Sequence, residues 1–218
     1  MNPTRFRARV LLSDDDAESH LRPIPALLSA AYLWGIHWSN SDTLKAHTEV
    51  YLDRALSSLS TALPSQADQI MQTLQAHFLV GYYLLSAGRL LEGKYHISAA
   101  LSIGMGGGLN KIRTTNPEEV PGTALAPPVD SIEEGERVDM LWMALFIDRT
   151  WAVFLKTVPD LNPNPMAEYR TDTPWPLEDE GYENVGRTFV LCHDKVVNGV
   201  GRADSILISG VDIQFEGF

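Results

Sequence analysis

A chain of 218 residues, 44% apolar and 21% charged, is long enough for one hydrophobic core or one domain plus a tail. A net charge of −11 argues against this piece gripping a phosphate backbone, which needs a surplus of Lys and Arg. A single cysteine, Cys192, excludes an internal disulfide framework, and no apolar run approaches the ~20 residues that span a bilayer.

Residues 1–21 are charged and mixed and are expected to be a flexible lead-in; the basic start MNPTRFRARV runs into Asp14-Asp15-Asp16 without the apolar core of a signal peptide. An intracellular protein is therefore expected. Pro23 and Pro25 open a first helical run through Trp38, with Leu27, Leu28, Ala31, Trp34, Gly35 and Trp38 on its apolar face. A second helix is predicted over 42–63, where Tyr51, Ala55 and Leu59 form one row and Leu52, Leu56 and Leu63 widen it. Pro64-Ser65 ends it, and a third helix follows over 66–86, with Ile70, Leu74, Phe78 and Tyr82 four apart and Gly88 as its stop. A fourth starts near Arg89–Glu92 and ends at the glycines beginning with Gly104.

Residues 114–130 have the composition of a loop, with Pro117, Pro121-Gly122 and Pro127-Pro128. Ser131-x-x-Glu134 has the form of a capping box and opens a long helix carrying Val138, Leu141, Trp142, Leu145 and Phe146 to about Val158. Five prolines between 159 and 176 make the next segment irregular, and the last thirty residues hold short β-branched runs with no helical stripe. The pattern predicts an all-α fold: an array or bundle of packed helix hairpins with a long Pro-rich loop and an irregular C-terminal tail, divided as 1–21, 22–186 and 187–218.

Each candidate for chemistry has a plainer structural explanation. Gly104-Met105-Gly106-Gly107-Gly108 lacks the Lys-Ser/Thr and the preceding strand of a phosphate-binding loop, and is expected to cap a helix. Ser102, in Ala100-Leu101-Ser102-Ile103-Gly104, lies near the end of a predicted helix, whereas a hydrolase nucleophile elbow joins a strand to a helix. His20, His37, His47, His77, His96 and His193 form no HxxxH or HExxH pair, so no zinc site is expected and His77 and His96 are taken as ordinary helix residues. Glu133, Glu134, Glu136 and Asp139 suit a helix first turn; Asp148-Arg149, inside an apolar helix, is expected to be a paired buried ion or an interface contact. The tryptophans Trp34, Trp38, Trp142, Trp151 and Trp175 are expected mainly in the core, and Cys192-His193 is a lone dyad. No enzyme emerges from the residues.

Three stretches in order carry a resemblance. Gly88-Arg89, Glu92-Gly93, Tyr95-His96, Ala99-Ala100 and Gly108-Leu109-Asn110 form the first; Glu133 or Glu134, Arg137, Trp142, Phe146, Asp148 and Arg149 the second; Thr171–Leu177 (TDTPWPL), with Pro174 and Trp175, the third. Together they resemble the middle homology, or xylanolytic-activator-type regulatory, domain of fungal zinc-cluster transcription factors over roughly 22–183. Two departures stand out: Asn110 replaces a common histidine, and Lys156-Thr157-Val158-Pro159 replaces a Gly-Arg-Pro turn.

The resemblance implies a non-catalytic regulatory domain in the nucleus that senses a small-molecule effector or a protein partner, or self-associates. The hydropathy and the net charge of −11 add the expectation of no membrane and no direct nucleic-acid contact by this segment. The family's binuclear zinc cluster needs six cysteines near the N-terminus, which this sequence cannot supply, so no cofactor is expected in this chain and it is taken as a truncated member, a fragment or an unusual gene model. The alternatives are a stand-alone helical ligand-binding or scaffold protein without DNA binding and, third, an acyl hydrolase acting through Ser102.

Overall fold

The computed structural model describes residues 3–12, 21–61, 67–114, 120, 122, 125–160 and 171–177. They form α1 (Pro3–Val10), α2 (Pro25–His37), α3 (Asp42–Lys45), α4 (Thr48–Thr61), α5 (Ala67–Ser86), α6 (Leu90–Gly106), a 3-10 turn (Leu109–Lys111) and α7 (Ser131–Leu155). No strand occurs among the described residues, as the all-α reading requires.

The helices pack around two apolar clusters that share α5. Its Ala76, Val80, Tyr83 and Leu84 join Leu27, Ala30, Leu33 and Trp34 of α2 and Leu52, Ala55 and Leu59 of α4 in the first. Its Leu74, Phe78 and Leu85 join Ile97, Ala100 and Leu101 of α6, Leu109, and Met140, Leu141, Ala144 and Leu145 of α7 in the second. Leu79 and Tyr82 of α5 touch both clusters. Each fully buried leucine or isoleucine contributes roughly 1.5–3 kcal/mol, so α5 is the element neither half can lose.

The α5–α6 hairpin is set by backbone chemistry. Gly88 adopts the left-handed conformation (φ 76°) that side chains resist. Its N–H donates to Leu85 O (3.1 Å) and that of Arg89 to Leu84 O (2.9 Å), the paired bonds of a Schellman ending. The two helices then approach closely, because a Cβ on Gly93 would lie 2.6 Å from Leu85 Cγ and 2.8 Å from Leu85 N. One turn away, a Cβ on Gly81 would lie 3.0 Å from Ile97.

Several sequence expectations are corrected. The lead-in contains a helix, Pro3–Val10; Phe6 packs against the first cluster, and Arg5 donates to Asp130 Oδ2 at 2.6 Å. The single helix expected over 42–63 breaks at Ala46-His47, where Thr48 Oγ1 donates to Lys45 O (2.7 Å) and restarts the chain as α4. The α2 face is rotated: Ala26, Leu27, Ala30, Leu33, Trp34 and Ile36 are buried, whereas Trp38 is 72% exposed. Helix α6, by contrast, ends within the glycines that begin at Gly104, at Gly106, and Gly108 takes the left-handed turn (φ 75°). The cap of α7 is Asp130, not Ser131: its carboxylate accepts from Glu133 N (2.8 Å), and Glu133 in turn accepts from Val129 N (2.9 Å). Helix α7 ends at Leu155, three residues before the expected Val158. The expected break at Pro64-Ser65, Leu63, the dyad Cys192-His193 and the tail 187–218 lie outside the described residues.

Candidate functional site

The residues that carry the sequence resemblance do not converge on one pocket. They divide into two groups with different physical work.

The first group builds the α5–α6 hairpin. Gly88 and Gly93 act through the backbone, as above. Arg89 forks onto Glu92, Nε to Oε1 at 2.9 Å, an exposed i,i+3 pair that closes the first turn of α6 and is worth little by itself. Tyr95 stands 66% exposed on α6, beside Leu91 at 87%. His96 is buried and meets His77 of α5, Nδ1 to Nδ1 at 2.9 Å. Two imidazole nitrogens at that distance share one proton as N–H···N, so the pair is comfortable only while at least one ring is neutral. Burial, reinforced by the His96 charge, pushes the His77 pKa down to about 4. Burial lowers that of His96 as well, with the Glu92 charge opposing it.

The second group lies along α7 and fastens loops to it. Near its start, Glu134 pairs with Arg113 and Arg137 donates to Ala126 O (2.7 Å) and Glu133 Oε1 (2.6 Å), holding the ends of the loop 114–130. Halfway along, Trp142 Nε1 donates to Pro174 O (2.7 Å), and its ring stacks on Trp175 with centroids 4.1 Å apart and 16° between planes. Two turns further on, the buried Asp148 carboxylate accepts from Asp160 N (3.1 Å). Asp160 in turn bonds Ser98 and lies 3.4 Å from Lys94 Nζ, both on α6. Of the two neighbours, Asp148 is buried and bonded while Arg149 is exposed, since adjacent side chains on a helix point about 100° apart.

The segment 171–177 is held against the corner between α6 and α7. Asp172 N donates to Asn110 O (2.7 Å), and Thr114 Oγ1 donates to Asp172 Oδ2 (2.8 Å). Thr173 is buried; its hydroxyl donates to Leu109 O and accepts from Ile112 N (3.2 Å). Leu109 is buried against α6, as its place after Gly108 requires. At the Lys156-Thr157-Val158-Pro159 departure, Lys156 adopts the left-handed conformation (φ 53°), with Thr157 N bonded to Ala152 O (2.9 Å). A lysine therefore closes α7 with the geometry that a glycine adopts at lower cost.

The rest of the sequence candidates resolve simply. Ser102 is exposed within α6, and the glycines at 104–108 end that helix. Among the described residues no cluster of three or more His, Cys, Asp or Glu side chains could hold a metal ion, and no described helix is long and apolar enough to cross a membrane. Trp34 is buried, with Nε1 donating to Leu79 O at 3.0 Å, in an aromatic group with His37, Tyr82 and Tyr83. The His77–His96 pair and the Arg5–Asp130 bridge are what sequence reading missed: their partners are 19 and 125 residues apart, and no spacing rule links them.

No curated protein and no solved structure matches the chain. Among protein-family models, the fungal specific transcription factor domain matches residues 5–190, well over half of the sequence and including every residue of both groups. The chain therefore belongs to the fungal-specific transcription factor domain family.

Proposed function

We propose that this chain works as the regulatory domain of a fungal transcription factor, without chemistry of its own and in the nucleus. The family match over residues 5–190 carries the reading. The site geometry supports it, because the motif residues secure the helices and loops, and no nucleophile–base pair is assembled from them. The net charge of −11 is consistent with DNA being contacted by another segment, where the zinc of the family's cluster would also reside.

The effector is a protein partner, a second copy of the domain or a small molecule. Leu91 (87% exposed) and Tyr95 (66%) on α6, with Val153 (79%) and Phe154 (69%) near the end of α7, favour protein contact, since large apolar side chains at such exposure are suited to burial against a partner.

The test is a reporter experiment in a fungal host. Fused to a heterologous DNA-binding domain, the chain is expected to change transcription from the matching promoter, and Leu91→Ser/Tyr95→Ser is expected to weaken that change. Reporter output equal to that of the DNA-binding domain alone would remove the regulatory reading.

A further inference from the structure

The sequence contains one Ser/Thr-Pro dipeptide in all its 218 residues, Thr173-Pro174. The structure places it at the centre of the strap 171–177. A hydroxyl followed by proline is the acceptor pattern of proline-directed protein kinases. We infer that Thr173 is a regulatory phosphorylation site, and that its modification releases the strap from the α6–α7 corner.

The strap is built to be releasable. Pro174 and Pro176 have no N–H to donate, so the segment cannot join a ladder and rests on a few specific contacts. Asp172 N on Asn110 O anchors one side, and the Trp142–Pro174 bond with the Trp142–Trp175 stack anchors the other. This is how aromatic grooves hold proline-rich peptides: an indole N–H donates to a peptide carbonyl and a flat ring supports the chain. Here the peptide belongs to the same chain.

Thr173 is the control point because its hydroxyl both donates to Leu109 O and accepts from Ile112 N while 8% exposed. The γ-phosphoryl group of a nucleoside triphosphate would pass to Oγ1. The bond from that phosphorus to the bridging oxygen breaks, the Oγ1–P bond forms, the hydroxyl proton leaves to the kinase's base, and the nucleoside diphosphate departs. The product has no proton left to donate to Leu109 O, and carries roughly two negative charges in a buried position one residue along the chain from Asp172, whose carboxylate is held by Thr114. Desolvation and like-charge repulsion both oppose re-docking. A kinase reaches Thr173 only in the open strap, so phosphorylation traps an opening that already occurs. The released corner then exposes Leu109, Ile112 and the indole of Trp142.

The experiment needs neither DNA nor a reporter, so its failure leaves the transcriptional reading standing, and the reverse. The full chain, its Trp175→Ala variant and a synthetic peptide of residues 168–180 are incubated with a proline-directed kinase and ATP, and Thr173 occupancy is followed by mass spectrometry. The expected result is rapid modification of the peptide, modification about tenfold slower in the full chain, and a Trp175→Ala rate close to that of the peptide. Hydrogen exchange of the phosphorylated chain is expected to show lost protection at Ile112, with α5 and α6 unchanged. An unmodified peptide, equal rates in peptide and full chain, or retained protection at Ile112 after phosphorylation would each overturn the proposal. So would loss of protection throughout α5 and α6, which would mean that modification unfolds the domain instead of opening the strap.

Discussion

The α5–α6 hairpin and the surroundings of α7 are held together by different physics. In the hairpin, glycines let two backbones meet and aliphatic side chains fill the seam, so geometry is fixed by what is missing: a Cβ at Gly93, Gly81 and Gly88. Around α7, polar side chains reach outward to hold loops: Arg137 to Ala126, Trp142 to Pro174, Asp148 to Asp160. Close packing tolerates little change, whereas single hydrogen bonds with a net worth of about 0.5–1.5 kcal/mol can be exchanged one at a time. The hairpin is scaffold; the α7 face is where a regulatory change of state is affordable.

The sharpest way to break this contrast is Gly93→Ala. The added methyl would sit 2.6 Å from Leu85 Cγ and 2.8 Å from its backbone nitrogen, and the latter cannot move aside. We expect a loss of about 3 kcal/mol by denaturant titration. Gly35→Ala, where no atom lies within 4 Å, is the control and should gain about 0.5–1 kcal/mol from helix propensity. Equal effects would mean that the hairpin is not close-packed.

Acidification is next in size. His77 is held near a pKa of about 4 in the folded chain against an ordinary value of 6.5, so between those values the unfolded chain binds more protons. Stability should therefore fall as pH drops through this window, by about 1–2 kcal/mol once partial solvent access to the ring is allowed for. His77→Gln, followed by thermal melts from pH 7 to pH 4, should flatten that part of the pH dependence. A slope unchanged by the substitution would assign it to other groups.

Smaller effects test the α7 side. Asp130→Ala removes the cap of α7 and the Arg5 partner and should cost about 1 kcal/mol, while Ser131→Ala should be nearly neutral. The reverse ranking would restore Ser131 as the cap. The smallest effect is a gain: Lys156→Gly should raise stability by about 0.5 kcal/mol, since the left-handed conformation at φ 53° costs a lysine more than a glycine.

Most of the helical frame was legible in the sequence, because stripes such as Leu74–Phe78–Tyr82 and breakers such as Gly88 act within a few residues. Errors came where two local signals competed. Asp130 and Ser131 are both good caps, and the acidic residue, with Arg5 beside it and Glu133 three residues on, won. Trp38 fits the apolar period of α2 but sits at its C-cap, where the helix leaves the core. The α7 fasteners were visible as residue types without their partners, since Trp142–Pro174 and Arg5–Asp130 close across 32 and 125 residues. The family resemblance points to residue positions along α7, and the structure shows that Arg137, Trp142 and Asp148 among them hold loops.

The tight turn at Gly88 also has a kinetic consequence. The seam that it closes, from Leu74 against Gly104 to Leu85 against Gly93, joins residues separated by at most about thirty positions. Closing so short a segment forfeits little chain entropy, so this hairpin is expected to form early and rapidly. Because α5 contributes to both apolar clusters, the early hairpin presents a ready surface on each side. Helices α2 and α4 would then condense on one flank and α7 on the other, giving the domain two converging routes from a common nucleus.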